Sequence, residues 1–194
     1  MTRKIPINMA ASPVGAKGRQ QGLSAIELMI LIAVAGLIFL VSVPGSSWLL
    51  ERSRINSASE NLLTALNIAQ QEAQARNSTV RVCPSSNGRT CRRDNNWALG
   101  WLVFSDGNAD GEVQEIELLE VFEAPHQPIE IIASGGVRAV VSFTVAGLAD
   151  SENARDGQFV LCYPGSRLRA RTVVVNADGW VYLKPENSPA CESA

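Results

Sequence analysis

Gln20-Gln21-Gly22-Leu23-Ser24-Ala25-Ile26-Glu27-Leu28-Met29 opens directly into an apolar run that carries no charge as far as Pro44. The single carboxylate, Glu27, stands at the mouth of that run, five residues after a glycine. At ~1.5 Å per residue, the run with its flanking turn is just long enough, as a helix, to cross a hydrocarbon core of ~30 Å. A charge at the centre of such a span costs roughly 2.5–3.5 kcal/mol. Near the end the cost falls, because the side chain reaches the interface. Glu27 is therefore read either as a snorkelling end residue or as one half of an ion pair that needs a cation from elsewhere.

Charge is distributed unevenly around this stretch. Arg3, Lys4, Lys17 and Arg19 precede Gly22, with no acid among them. Such a segment predicts a cytoplasmic N-terminus, with the remainder across the membrane. Without it, 13 of the 17 basic residues remain against 19 acids, and the net charge moves from −2 to −6. So acidic a remainder is a poor general binder of nucleic acid, whose affinity rests on basic charge. A secretory signal peptide is the competing reading of residues 1–44, and "VPGSSWLL" supplies some of the small residues its cleavage site needs.

A helix is expected from Ser24, whose side chain suits an N-cap. It continues past the apolar run, because Ile55, Ala58, Leu62, Leu66, Ala69 and Ala73 recur at steps of three and four. Pro44-Gly45 is expected to kink or loosen it. After Asn77 the texture changes to short β-branched or aromatic runs: "STVRVCP", "ALGWLVFS", "EIELLEVFEA", "IEIIAS", "AVVSFTV", "QFVLCYP", "RARTVVVN" and "WVYLK". Turn formers separate them, which predicts an antiparallel β-domain. The amphipathic half of the helix is expected to lie on one sheet. The fold class is thus α+β. Its parts are a leader over 1–22, a helix over 23–76 with a transmembrane segment at about 24–44, and a β-domain over 77–194.

Four cysteines in a translocated domain suggest disulfides. Three connectivities exist; Cys83–Cys91 and Cys162–Cys191 are favoured because each pair closes locally. There is no C-x2-C, and the only histidine is His126, so a zinc site is not indicated. No nucleophile–base set and no phosphate loop is present, and the chain is read as a non-enzyme without a cofactor.

The residues quoted first resemble the class III prepilin signal of type IV pilins and type II secretion pseudopilins. In that family a prepilin peptidase cuts after the glycine, methylates the new N-terminus and leaves the apolar helix in the inner membrane. The resemblance maps the cut to Gly22–Leu23 and the family glutamate to Glu27. The family usually has Phe where Leu23 stands and commonly Thr where Ser24 stands. The leader is long for the family, and Met9 offers a second start. Further on, "VRVCPSSNGRTC" and "NNWALGWLVFSDGNADG" look like GspH/FimT-type minor pilins, with Trp97, Gly100, Trp101 and Asp106 on the pattern. The resemblance implies a pilin-like fold and a scaffold role. Its partners would be major and minor pilins or pseudopilins, the prepilin peptidase and an inner-membrane assembly platform. The protein would sit in the bacterial inner membrane, with its C-terminal domain in the periplasm, before joining a pilus or pseudopilus. In that role Glu27 would pair with an N-terminal amine and set axial register, since a stranded buried charge is costly.

Three further constellations carry more than one reading each. Asp106, Asn108, Asp110 and Glu117 satisfy the calcium-loop pattern D-x-[DN]-x-[DN]-G-x5-E. They stand between expected strands, where Asp, Asn and Gly equally build a turn, and the turn is preferred. Arg167, Arg169 and Arg171 alternate, so a strand would place them on one face. They suit DNA capture, a partner contact or a solvated edge. Some relatives take up DNA through a Gly-Arg-x-Arg motif; here Gly179-Trp180-Val181-Tyr182 occupies that place without either arginine. Finally, no Lys or Arg occurs from Asp94 to Val137. That acidic stretch is a solvated face or a contact for a basic neighbour.

Overall fold

The computed structural model describes residues 24–42, 47–126, 128–146, 156–166 and 168–185. The chain divides into two compact units, residues 1–44 and 45–194.

In the first unit, helix α1 spans Ala25–Ser42. Its first turn begins as expected at Ser24, whose carbonyl accepts the Leu28 N–H at 3.1 Å. Glu27 lies in that turn, where a carboxylate complements the helix dipole. Ile26, Met29, Ile30, Ile32, Leu37 and Ile38 are all exposed. A helix apolar on every side has no inward face of its own. At 18 residues it is about 27 Å long. Among the described residues no helix is long and apolar enough to cross a membrane. The expected span and the expected Pro44-Gly45 kink both run into residues 43–46, which lie outside the described residues.

The second unit is built on helix α2, Ser47–Arg76. Its apolar stripe is the one read from the sequence: Ile55, Ala58, Leu62, Leu66, Ala69 and Ala73 are buried, and Ala65 joins them. Asn77 ends the helix with φ +52°, a left-handed conformation that asparagine tolerates just past a helix end. Eight strands follow: β1 Val80–Pro84, β2 Gly100–Ser105, β3 Leu118–Glu123, β4 Glu130–Gly135, β5 Val141–Phe143, β6 Gly157–Cys162, β7 Arg171–Val175 and β8 Val181–Leu183. Each coincides with one of the eight apolar runs. In "EIELLEVFEA" only the second half is strand, and Glu115–Glu117 forms the preceding turn.

The strands form two four-stranded sheets, ordered β3-β2-β1-β5 and β4-β6-β7-β8. All pairings are antiparallel. Helix α2 packs on strands of both sheets, which corrects the expectation of a single sheet. One helix stripe is wide enough for this because Leu62, Ala65, Leu66 and Ala69 pack in one cluster with Val80, Val82 and Phe143 of the first sheet and Phe159, Leu161, Val173 and Val175 of the second. Among the polar ties of the described residues, three fasten α2 to the second sheet and its loops. The Ser166 hydroxyl donates to Glu51 Oε2 at 2.8 Å, Arg171 Nε donates to Asn56 Oδ1 at 2.8 Å, and Gln70 Nε2 donates to the Gly179 carbonyl at 3.3 Å.

Candidate functional site

The pattern W-x-x-G-W resolves into packing. Trp97 lies in a single 3-10 turn, Trp97–Leu99, capped by Asn96, whose side chain accepts the Ala98 N–H. The turn feeds β2, and Trp97 is fully buried. Its ring meets Phe159 of the second sheet edge-on, with centroids 4.8 Å apart and planes at 75°, a favoured aromatic geometry. Its Nε1 donates to the Arg138 carbonyl at 2.9 Å. Trp97 therefore joins the two sheets. Gly100 has φ +104°, and a Cβ there would stand 2.7 Å from the Phe122 carbonyl oxygen. Only glycine lets the neighbouring strand approach that closely. Trp101 stacks on Phe122 at 5.9 Å. Its Nε1 is buried and finds no acceptor among the described residues, which costs about 1–3 kcal/mol for such a group.

Cys83 and Cys91 are disulfide-bonded, as expected. Cys162 is also in a disulfide; Cys191, its expected partner, lies outside the described residues. Cys83 packs with Leu102 and Phe104 on the face of the first sheet turned away from α2. Inside the loop, Asn87 Oδ1 accepts the N–H groups of Arg89 and Thr90, and Ser85 Oγ accepts that of Gly88. Beyond it Arg92 pairs with Asp94. The hydrogen bond from that guanidinium holds the Asp94 carboxyl at about 2, overcoming the opposing effect of desolvation, with a lesser contribution from the Asn96 N–H. Replacing both Cys83 and Cys91 by alanine is expected to cost about 2.5 kcal/mol from the entropy of this short loop. It should appear as a lower urea midpoint, with a slope equal or steeper because the opened unfolded chain exposes more surface; no change in midpoint would show that the Asn87 turn holds the loop unaided.

The aspartate-rich stretch is a turn network. Asp110 Oδ1 accepts the Glu112 N–H at 2.8 Å, and Asp110 Oδ2 accepts from Asn108 Nδ2 at 2.7 Å and Gln114 Nε2 at 2.9 Å. These bonds, the Glu112 N–H foremost, and the nearby Arg81 charge keep the Asp110 carboxyl below its usual range. The Asp106 side chain is 0% exposed and its Oδ2 lies 2.7 Å from Arg81 Nε. The contact is an ion pair rather than an aligned hydrogen bond. Asp106 Oδ1 also accepts the Gly111 N–H at 3.4 Å. No group of three or more His, Cys, Asp or Glu that could hold a metal ion occurs among the described residues. Asp106 meets Arg81, and Asp110 is held by the loop's own donors, whereas Glu117 Oε2 is buried with no hydrogen-bond partner among the described residues. Arg81 was missed as a partner, although a lone cation inside "VRVC" was a signal that something acidic must meet it.

The arginines do not form one exposed face. Arg167 lies outside the described residues, Arg169 is exposed, and Arg171 is half-buried and tied to Asn56 of α2. Arg171 shares its strand face with the core residues Val173 and Val175, which turns it toward the helix. Trp180 and Tyr182 alternate with Val181 and Leu183, so they are exposed while the latter two pack on the core. Glu27 is exposed on α1, and Gly22 and Leu23 lie outside the described residues.

A helix laid across two antiparallel sheets, with a tryptophan turn joining them, is a pilin-like α+β domain. The family model for the type II transport protein GspH matches residues 58–179, and the chain belongs to that family. The fold resembles the type IV minor pilin FimU of Pseudomonas aeruginosa PAO1 with a TM-score of 0.55 at 18% identity, over 71% of this chain and 93% of FimU. A second crystal form of FimU gives 0.52 at 18% identity, over 69% and 94%. The minor pseudopilin EpsH of the Vibrio cholerae type II secretion system gives 0.50 at 7% identity, over 70% and 98%. No curated protein matches the sequence.

Proposed function

We propose that this chain is a minor pilin or pseudopilin, a structural subunit that primes or enters a type IV pilus or type II secretion pseudopilus. The observation that carries this is the family match over residues 58–179, lying on a domain whose fold resembles a minor pilin and a minor pseudopilin. The signal stretch lies outside the matched span and supports the same reading independently. In it, Gly22–Leu23 is the peptidase site, α1 and the residues after it form the membrane anchor, and Glu27 pairs with a subunit N-terminus to set register. The acidic domain then faces the periplasm, and its partners are other pilins or pseudopilins, the prepilin peptidase and the inner-membrane assembly platform. Assembly, not catalysis, is the activity.

Intact-mass analysis of membrane-extracted protein is expected to show a chain beginning at Leu23 with one added methyl group. A chain that retains residue 22 would remove the subunit reading and leave a signal-anchored periplasmic domain. Glu27→Ala is expected to be cleaved normally but to enter filaments at least ~10-fold less, the equivalent of about 1.4 kcal/mol. Normal incorporation of that variant would confine Glu27 to an interfacial role. The DNA reading gains no support, because Arg171 is spent on Asn56 and the Gly179 motif lacks its arginines.

A further inference from the structure

A groove of about 560 Å³ runs between the flank of α2 and the end of β3, lined by Arg54, Ser57 and Asn61 on one side and Trp101, Glu123 and His126 on the other. That volume is in the range of ligand sites. Its helix wall carries one cation, Arg54, beside the polar side chains of Ser57 and Asn61. Arg54 is half-buried and belongs to none of the ion pairs among the described residues. Beneath the groove the Trp101 indole N–H lacks an acceptor, although Trp101 is only 1% exposed. A guanidinium and an indole N–H both seek an oxygen, and a carboxylate satisfies the first with a charge-assisted bond. Glu123 on the strand wall is an acceptor, suited to the N–H groups of an extended backbone. β3 is also the outer strand of its sheet, so a segment can reach the groove without crossing another strand.

We propose that this groove receives an extended acidic peptide segment, whose carboxylate meets Arg54 and one of whose oxygens takes the Trp101 indole N–H. That a neighbouring subunit supplies the segment rests on the proposed subunit role; the carboxylate chemistry does not. The indole nitrogen is buried, so the oxygen reaches it only when the groups covering it shift.

The test uses the full ¹⁵N-labelled chain in lipid nanodiscs, titrated with N-acetyl-glutamate N-methylamide, and with the neutral N-acetyl-glutamine N-methylamide as control. The indole resonance of Trp101 is expected to move downfield. That of Trp97, already bonded to the Arg138 carbonyl, should stay. Arg54→Ala should weaken the effect at least ~10-fold, while Arg54→Lys keeps part of it, and the glutamine probe should act weakly. An unmoved Trp101 resonance overturns the proposal, as does a shift that survives Arg54→Ala or is equal with the glutamine probe. These readouts need no filament, so they can fail while cleavage at Gly22 and incorporation succeed, and the reverse.

Discussion

Trp97→Ala is expected to destabilise the second unit by about 3–5 kcal/mol, the range for removing a fully buried large aromatic side chain. Three losses combine at this position. The ring is 0% exposed, so its removal leaves a cavity in a close-packed interior. The edge contact with Phe159 disappears, and the Arg138 carbonyl loses its donor. Because the residue joins the two sheets, the damage is shared by both. Thermal unfolding followed by near-UV circular dichroism should fall by on the order of 10 °C for a unit of this size. Trp97→Phe keeps a ring against Phe159 and loses chiefly the hydrogen bond, so about 1–2 kcal/mol is expected. Equal losses for the two variants would show that the hydrogen bond, not the packing, holds the sheets.

The second large effect is expected at Asp106. Removing one partner of a buried ion pair costs about 3–5 kcal/mol when the other charge is trapped. Here Arg81 keeps 29% side-chain exposure and can turn its head toward water, so Asp106→Ala should cost about 2–4 kcal/mol. Arg81→Ala leaves the fully buried carboxylate behind and should cost at least as much. A double variant, Asp106→Leu with Arg81→Met, is expected to recover most of the loss, since apolar replacement of buried pairs is often neutral. Urea unfolding of the wild type, Asp106→Ala, Arg81→Ala and the double variant carrying both alanines completes the cycle, with the Leu/Met pair measured beside it. Additive losses in it would mean that the two side chains do not act on one another.

The helix stripe was legible because a period of three and four residues is local. Ala65, three residues after Leu62 and four before Ala69, lies on the same period, although the stripe as read did not count it. The eight strands were legible as runs, but their division into two sheets was not. Strand partners lie far apart in sequence, as when Val80 pairs with Phe143, and alternation says which face is buried without saying against what. The same limit applied to the site. Trp97, Gly100 and Trp101 were picked out by resemblance, whereas the reason for each depends on Phe159, the Phe122 carbonyl and α2. Asp106 matched a calcium pattern because Asp, Asn and Gly serve turns and cations alike. Its partner Arg81 comes from a strand that the pattern does not include. Of the three arginines only Arg171 lies in β7, and alternation in the sequence could not tell an outward face from one turned toward the helix.

The three ties from α2 to the second sheet have a mechanical meaning. They attach at Glu51, Asn56 and Gln70, near the start, in the first third and in the last third of the helix. A pull along the helix axis therefore meets them side by side and not one after another. No single hydrogen bond carries the load, and the helix must slide as a whole before the domain peels away. In a subunit pushed or drawn through its axial helix, that arrangement makes α2 a drive shaft keyed to its load at several points.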